Sequence, residues 1–333
     1  MVNRTEWMIY GANGYTGRLV AAEAKRRGLN PLLAGRRAGP IEKLATELGL
    51  RARVFDLQSA TASLADIAVV ANCAGPFAAT SAPMIDACLN SQTHYLDITG
   101  EIDVFLAAQR RDVEAKTAGI VICPGVGFDV IPTDCMAAVL KEALPDASHL
   151  VLAFDAGGPM SPGTARTLVE SFRLGHSIGR VRRNGMIEEV PFAHYWRRID
   201  FAGGSAMAIA IPWGDLATAE FSTSIPNIET YVAVPRAAAY ASRALNWLRP
   251  LLASAPGQVL LHRLANRFSG PSEDQLRIGR SRVWGEVRNA AGGRRTAHLE
   301  TRNGYCLTAD GTIMAVQFLL NAARLAVIVR QAC

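Results

Sequence analysis

Three glycines at three-residue spacing, Gly11, Gly14 and Gly17, follow the first apolar run of the sequence at residues 7–10. The run predicts a short buried strand, and apolar residues at helical spacing follow the glycines. A glycine turn between a strand and a helix lets backbone N–H groups and the helix N-terminus approach a pyrophosphate. A turn that only packs the helix on the strand is the alternative, because the spacing is one residue longer than in the commonest phosphate-binding fingerprint.

Two arginines follow the next predicted strand, at the position where a dinucleotide site selects its nucleotide. Residues 32–34 are apolar and lead into Gly35, Arg36 and Arg37. A site for NAD carries an Asp or Glu about 20 residues after the glycines, which accepts from the ribose 2′-hydroxyl. A guanidinium instead matches a 2′-phosphate and stacks on adenine. The pair therefore predicts NADP(H), with Arg36 the principal contact and Arg37 in support, and disfavours a merely solvated basic loop.

The ends of later strands supply further candidates for cofactor contacts. Asp56 closes a predicted third strand, where it could accept from the adenine amino group or simply end the strand in a turn. Small residues after the fourth predicted strand leave room for the backbone to pass beside a ribose. The complete set of predicted cofactor contacts is Gly11, Asn13, Gly14, Tyr15, Thr16, Gly17, Arg36, Arg37, Asp56, Ala74, Gly75 and Pro76.

Three residues near predicted strand ends are candidates for catalysis: Tyr95, Asp97 and Asp129. The Tyr95 hydroxyl could donate to a substrate carbonyl, Asp97 could orient ribose or substrate, and Asp129 could act as a general acid or base. The alternatives are a buried core tyrosine, a strand-end turn before a helix cap at Thr99, and a cap for a helix that begins at Pro132. The Tyr-x-x-x-Lys pair of short-chain reductases is absent from the sequence, and no spacing of residues suggests a metal site.

These residues must be positioned by the elements around them, which alternate regularly between strand and helix. Strands are predicted at residues 7–10, 32–34, 53–55, 67–71, 94–96 and 120–123, and helices near residues 40–48, 82–90 and 101–118. This alternation is typical of a doubly wound parallel sheet, whose ligand lies outside the carboxyl ends of the strands. The later sequence predicts strands at residues 150–154, 206–211, 230–234, 282–288 and 296–301, a helix at residues 164–178, and a hairpin that turns at Asn184-Gly185.

Five motifs occur in the order found in one oxidoreductase family: YGANGYTGR, LAGRR, NCAGPF, THYLDITGE and CPGVGFDVIPTD. Over roughly residues 5–308 the chain is similar to saccharopine dehydrogenase-like oxidoreductases, and within them to the bacterial trans-acting enoyl reductase type. The resemblance implies an α/β fold with a Rossmann doubly wound parallel sheet, an inserted α+β second domain, and a C-terminal helix that returns to the first domain. It assigns residues 1–148 to dinucleotide binding, residues 149–306 to the substrate or dimerisation domain, and residues 308–330 to the helix.

The same resemblance implies an NADP(H)-dependent oxidoreductase that reduces an enoyl or similar lipid-type acyl substrate. A saccharopine-type C–N dehydrogenase and a non-catalytic NADP(H)-binding scaffold remain alternatives. The implied partner is a small-molecule or acyl-thioester substrate, free or carrier-bound, and a homodimer is a further expectation. The sequence ends at Cys333, where proteins of this family usually continue into a longer tail.

Composition narrows the remaining classes of protein. The 333 residues suffice for two domains, and the net charge of +6 comes without zinc-finger spacing or alternating basic and aromatic residues, so we expect no nucleic-acid partner. Six scattered cysteines without a C-x-x-C pair, and an N-terminus without the features of a signal peptide, predict a reducing, cytoplasmic compartment. An amphipathic basic segment at residues 237–268 is expected to pack within the protein, with peripheral membrane contact as the alternative.

Overall fold

The first sheet is parallel and has the strand order β3-β2-β1-β4-β5-β6. The computed structural model describes residues 4–165, 179–242, 254–265 and 267–331. The six strands are β1 (Glu6–Tyr10), β2 (Leu32–Gly35), β3 (Arg51–Val54), β4 (Ile67–Asn72), β5 (His94–Asp97) and β6 (Ile122–Cys123). The order reverses between β1 and β4, which gives a crevice at their carboxyl ends. The predicted doubly wound Rossmann sheet is confirmed.

Helices cover both faces of this sheet. They are α1 (Tyr15–Arg26), α2 (Ala38–Leu48), the single turn α3 (Ala60–Ser63), α4 (Phe77–Ser91), α5 (Ile102–Gln109), α6 (Asp112–Ala118) and the last helix, α11 (Gly304–Gln331). The single helix predicted at residues 101–118 is wrong, because Arg111 leaves the helical path at φ −92° and ψ 8° and the chain forms two helices. The Arg111 guanidinium pairs with Asp86 at 2.8 Å, which holds this break against α4.

Alternate residues of the strands enter two separate hydrophobic layers, as expected for a parallel sheet that is buried on both faces. Ile9 and Leu33 lie in the layer that includes residues of α1, α2 and α11. Met8 and Leu32 lie in the layer that includes residues of α4. Ile313 of α11 is fully buried in the first layer, so the predicted return of the C-terminal helix to this sheet is confirmed.

The second sheet is mixed and contains eight strands. They are β7 (His149–Asp155), β8 (Gly179–Arg183), β9 (Met186–Val190), β10 (Trp196–Phe201), β11 (Gly204–Ala210), β12 (Asn227–Val234), β13 (Arg280–Arg288) and β14 (Arg294–Arg302). Their order is β10-β11-β12-β7-β13-β14, with β8 and β9 attached to β12. Strands β7 and β12 are parallel, and the other pairs are antiparallel. The α+β character predicted for this part of the chain is confirmed.

The hairpin between β8 and β9 has the predicted two-residue turn. Asn184 and Gly185 both have positive φ, at 48° and 79°, as a type I′ turn requires. Strand β10, by contrast, was not predicted, and neither was the helix α8 (Asp215–Thr223). Further helices of this part are α7 (Ile131–Ala143), α9 (Ala255–Ala265) and α10 (Glu273–Ile278).

The chain divides into two compact units, which we call the first and the second unit. The first comprises Met1–Phe128 with Tyr305–Cys333, and the second comprises Asp129–Gly304. This division falls before the boundary predicted at residue 148, because α7 packs on β13 of the second sheet. Gly285 makes room for that helix, since a Cβ there would lie 2.6 Å from Leu140 Cδ1 and 2.7 Å from Met136 Sδ.

Two predictions fall largely outside the described residues. Only Thr164 and Ala165 of the helix predicted at residues 164–178 are described. The basic amphipathic segment at residues 237–268 is described only at residues 237–242, 254–265 and 267–268. Within the described part of the chain, no helix is both long enough and apolar enough to span a membrane.

Candidate functional site

The glycine turn lies at the crevice between β1 and β4, and its first glycine is required by the backbone. Gly11 has φ +76°, and a Cβ there would lie 2.8 Å from the backbone of Ala74. Its N–H donates to Ala34 O at 2.8 Å, which ties the turn to β2. Gly11 and Ala74, both predicted cofactor contacts, are therefore brought together at the point where the strand order reverses.

The other two glycines of the turn have different roles. A Cβ on Gly17 would lie 2.5 Å from Gly11 O and 2.8 Å from Ala12 Cα, so Gly17 serves the packing of α1 on the turn. A Cβ on Gly14 would meet only carbonyl oxygens, Gly11 O at 3.2 Å and Cys73 O at 4.0 Å. Gly14 is therefore less crowded than Gly17, and its contact with a phosphate stays a prediction.

The N-terminus of α1 is built to accept an anion. Gly14 is its N-cap residue and supplies no side-chain cap, and the first turn contains no acidic residue. The uncapped N–H groups and the helix dipole favour a phosphate at such an end. Tyr15 packs its ring edge-on against Tyr305 with centroids 5.0 Å apart, and burial raises the pKa of Tyr15 to about 12. Thr16 is half-buried in the same turn.

The end of β2 carries the two predicted arginines. Arg36 and Arg37 are exposed, and neither guanidinium has a hydrogen-bond or ion-pair partner among the described residues. Arg36 lies close enough to Tyr10 to lower the pKa of its phenol, against the larger effect of burial, which raises it. Asn13 also reaches this end of β2, since its Oδ1 lies 3.4 Å from the position of a Cβ on Gly35. Two guanidiniums without counter-charges thus stand where a 2′-phosphate is expected.

Asp56 caps a turn, which is one of the two roles that its position after β3 allows. Its Oδ1 accepts from the backbone N–H groups of Gln58 at 3.1 Å and Ser59 at 3.0 Å. These bonds cap a short 3₁₀ turn and, with the Ser59 hydroxyl, lower the pKa of Asp56. One carboxylate oxygen is therefore committed to the chain, and contact with adenine stays a prediction.

The loop after β4 is held by side chains that the sequence analysis did not single out. Asn72 Oδ1 accepts from the Ala74 N–H at 3.0 Å, and the Thr80 hydroxyl donates to Ala74 O at 2.6 Å. Gly75 and Pro76 follow, joined by a cis peptide bond, and Pro76 precedes the first residue of α4. The predicted ribose-side segment is thus fixed on both sides of Ala74.

Glu101 closes the N-terminus of α4. Its two carboxylate oxygens accept from the N–H groups of Phe77 at 2.9 Å and Ala78 at 2.8 Å. This helix end therefore already holds a negative charge, whereas the end of α1 has none. No local spacing could have revealed the cap, because Glu101 lies 24 residues from Phe77 along the chain.

Tyr95 and Asp97 form a buried pair beneath the carboxyl ends of the strands. Both side chains are fully buried, and the Tyr95 hydroxyl donates to Asp97 Oδ2 at 2.7 Å. Asp97 Oδ1 accepts from the N–H groups of Thr99 at 3.0 Å and Gly125 at 2.9 Å. Burial raises the pKa of Asp97 to about 6. The pair joins the ends of β5 and β6, and neither side chain is open to solvent.

Asp129 lies in the second unit and is half-buried. Its carboxyl group has no hydrogen-bond partner among the described residues, and burial raises its pKa to about 7. Its backbone oxygen accepts from Trp213 Nε1 at 2.6 Å, which fixes the backbone while leaving the carboxyl group free to titrate. No group of three or more potential metal ligands lies together in the described ranges.

The parallel sheet, the helix end without a side-chain cap and the two arginines are the features expected of a dinucleotide-binding unit. Residues 7–123 match the family profile described as the saccharopine dehydrogenase NADP binding domain. The resemblance carried by the sequence motifs is thereby confirmed for this part of the chain, as is the prediction of NADP(H) as its cofactor.

Known proteins whose similarity extends beyond residues 7–123 carry two kinds of name. A trans-acting enoyl reductase of Mycobacterium bovis is 29% identical over 196 residues, which cover 53% of this chain and 46% of that protein. A saccharopine dehydrogenase-like oxidoreductase of Bos taurus is 27% identical over 214 residues, which cover 55% of this chain and 50% of that protein. The chain thus matches about half the length of these curated relatives.

A solved structure shares the fold over nearly the whole chain. The L-glutamate-forming saccharopine dehydrogenase of Saccharomyces cerevisiae, in its apo form, superimposes with a TM-score of 0.64. The alignment covers 95% of this chain and 91% of the yeast chain at 12% sequence identity. At this identity the likeness describes the architecture and not the substrate.

Proposed function

We propose that the chain is an NADP(H)-dependent oxidoreductase that reduces an enoyl or similar lipid-type acyl substrate. The observation that carries the cofactor half of the proposal is the pair of exposed arginines, Arg36 and Arg37, without counter-charges beside the uncapped α1. The acyl half is supported by relatives named trans-acting enoyl reductase.

In this proposal each cofactor group has a place in the first unit. The pyrophosphate lies over Gly14 at the N-terminus of α1, and Gly11 keeps the turn close to Ala74. Arg36 binds the 2′-phosphate, with Arg37 in support. The backbone at Ala74 passes beside the ribose. When bound, the nicotinamide supplies the hydride, and the protein orients it.

Tyr95 and Asp97 act in this proposal as positioning residues. Because the Tyr95 hydroxyl is enclosed and donates to Asp97, it has no free path to a substrate carbonyl. Asp97 accepts from Thr99 and Gly125 and so fixes the backbone that follows β5 and β6. Asp129 is the proposed general acid, since an unpartnered carboxyl group with a pKa of about 7 holds and releases a proton near neutral pH.

The wider setting belongs to the same proposal. A free or carrier-bound acyl thioester is the proposed partner, and a homodimer the proposed assembly. The five described cysteines are all free thiols, which supports a reducing compartment such as the cytoplasm.

The proposal is tested by following NADPH oxidation with a series of trans-2-enoyl thioesters of increasing chain length. We expect kcat/KM to rise along the series, because each buried methylene contributes about 0.8 kcal/mol, or about fourfold. The Gly14→Val variant is expected to lose NADPH binding in calorimetry while its thermal melt stays close to the original. Turnover only with an amino acid and an oxo acid would transfer the protein to the C–N dehydrogenases. Binding of NADPH without turnover of any acceptor would favour the scaffold.

The role of Asp129 is tested with a matched pair of variants. Asp129→Asn is expected to lower kcat/KM without weakening NADPH binding. Asp134→Asn is the control, because Asp134 is also half-buried but accepts from the Ser222 hydroxyl at 2.8 Å. Equal losses in both variants would remove Asp129 from the chemistry.

A further inference from the structure

One face of the second sheet carries a group of arginines that the proposed function does not use. Gly285 of β13 faces α7, so its neighbours Trp284 and Glu286 point to the opposite face. Glu286 is fully buried there, although it is charged. A buried carboxylate needs compensation, and the neighbouring strands supply it.

Three guanidiniums surround this one carboxylate. Arg288 Nε donates to Glu286 Oε1 at 2.8 Å, Arg197 Nη2 lies 3.5 Å from the same oxygen, and Arg294 contacts Oε2. Burial works against the ionised form, but these cations prevail and lower the pKa of Glu286. The cluster therefore holds more positive charge than its carboxylate neutralises.

Arg197 is held in place but only weakly hydrogen-bonded. Its guanidinium carbon lies 5.0 Å from the centroid of the Trp284 ring and 5.8 Å from that of Tyr231. The contact with Glu286 at 3.5 Å is its one hydrogen bond within the described residues. A guanidinium has five N–H donors in a planar fork, so Arg197 presents a fixed and largely unused set of donors.

These donors face a cavity of about 430 Å³ within the second unit. Its lining includes Arg183, Arg197 and Arg288, and also Arg182, whose guanidinium donates to Leu216 O and Gly185 O at 2.6 Å. The acidic lining residues are Glu229 and Glu286, so the arginines exceed the glutamates by two formal charges. Two carboxylates outside the lining reduce this excess, because Glu188 pairs with Arg183 and Glu220 pairs with Arg182. Arg294 adds a positive charge, since it contacts Glu286, and the excess is therefore reduced only in part. The volume is within the range of small-molecule sites.

We propose that this cavity binds a small phosphorylated metabolite, whose phosphate lies on Arg197 and Arg288. A phosphate monoester is a dianion with several acceptor oxygens. It suits the largely unused fork of Arg197, the Nη1 group of Arg288 that remains after its Nε and Nη2 bind Glu286, and the excess charge of the lining. Val151, which is paired with Glu286 and points to the same face of the sheet, supplies apolar lining for the organic part of the ligand. The proposal is independent of the redox function and concerns residues of the second unit alone.

The test is calorimetric titration of glycerol 3-phosphate into the full chain saturated with NADP⁺, so that the dinucleotide site cannot take up the probe. We expect binding in the unmodified protein and a loss of affinity of about tenfold or more in Arg197→Gln. Arg198→Gln is the matched control, since Arg198 is the exposed next residue of β10 and points to the other face. Its affinity should stay within about twofold of the original.

Further titrations distinguish phosphorylated ligands from other anions. Glutarate, a dianion of similar size with two carboxylates, should bind more weakly than glycerol 3-phosphate. Tighter binding of glutarate would overturn the assignment to phosphorylated ligands. No binding of either probe at millimolar concentration, or equal losses in the two arginine variants, would overturn the site itself. A thermal melt of Arg197→Gln close to that of the original protein excludes unfolding as the cause of a loss.

Discussion

The two units contain buried carboxylates that are stabilised in opposite ways. Among the described residues, Asp97 of the first unit accepts only from neutral donors, namely the Tyr95 hydroxyl and two backbone N–H groups. Glu286 of the second unit is surrounded by three guanidiniums. Burial raises the pKa of Asp97 more than these donors lower it, whereas the guanidiniums lower the pKa of Glu286 against the opposing effect of burial.

This difference shows how a chain can keep arginines available for a ligand. In the first unit, no described carboxylate pairs with the guanidinium of Arg36 or Arg37. The second unit uses much of its arginine charge on its own Glu286. The position of the acidic partner, and not the number of arginines, decides how many guanidinium donors remain for a ligand.

The largest expected effect concerns the pH dependence that Asp97 causes. Its pKa of about 6 in the folded state exceeds the ordinary value of 3.8, so the folded state holds the proton more tightly. Its contribution to stability is therefore present at low pH and is lost as the pH rises from about 4 to about 6. Relative to Asp97→Asn, the wild type should lose about 3 kcal/mol over this range, measured by denaturant unfolding at successive pH values.

Asp66→Asn serves as a control of opposite sign. The Arg53 guanidinium lowers the pKa of Asp66, so the wild type should gain stability relative to this variant as the pH rises through the acidic range. If the free energy of unfolding changed with pH in the same way for wild type and Asp97→Asn, the pKa of Asp97 would not be raised in the folded state.

The second prediction removes the shared partner of the arginine cluster. Glu286→Gln should reduce the free energy of unfolding by about 2 kcal/mol, because three guanidiniums lose their counter-charge but remain partly hydrated. Glu300→Gln is the matched control, since Glu300 is exposed and pairs with Arg282 at 3.4 Å; its change should stay within about 0.5 kcal/mol. Similar midpoints for both variants in guanidinium unfolding would contradict the central role of Glu286.

The third prediction concerns the free arginines of the first unit. Arg36→Ala should leave the melting temperature unchanged but reduce the preference for NADPH over NADH by about tenfold, since a charge-assisted phosphate contact contributes about 1.4 kcal/mol. Fluorescence titration with both cofactors measures this preference. Arg110→Ala, an exposed arginine elsewhere in the first unit, should leave it unchanged. An unaltered ratio in Arg36→Ala would mean that the 2′-phosphate is bound elsewhere.

The smallest expected effect is that of Arg37→Ala. This exposed residue is the N-cap of α2 and supports Arg36 from one position further along the chain. We expect NADPH affinity to fall by about twofold, the size of a solvent-screened charge contribution. A loss as large as that in Arg36→Ala would make the two arginines equal partners in the site.

Much of the fold follows from short-range sequence patterns. Apolar runs bounded by turn residues located the strands of the first sheet, and Asn184-Gly185 located a hairpin because both positions require positive φ. The break between α5 and α6 was missed, since Arg111 is held by Asp86 of another helix. Strand β10 was also missed, although its partner β11 was predicted.

Short-range sequence patterns also predicted part of the candidate site. Gly11, Gly14, Gly17 and the arginine pair could be identified from spacing within about 30 residues, the length of one strand–helix–strand unit. The different roles of the three glycines could not, because they depend on how close Ala74 and Ala12 approach.

By itself, the sequence determined the alternation of elements, the glycine turn and the charge that follows β2, all of which arise from neighbours along the chain. The tertiary structure alone decided that Glu101 caps α4, that Tyr95 is enclosed against Asp97, and that three arginines contact Glu286. The contacts of Glu101 with α4, and of Arg197 and Arg294 with Glu286, join residues that are brought together only by the pairing of strands and the packing of helices. Tyr95 and Asp97 are two residues apart on one strand, but only the packing around them buries both side chains. The energy of a buried charge depends on its neighbours in space, and therefore no local pattern records it.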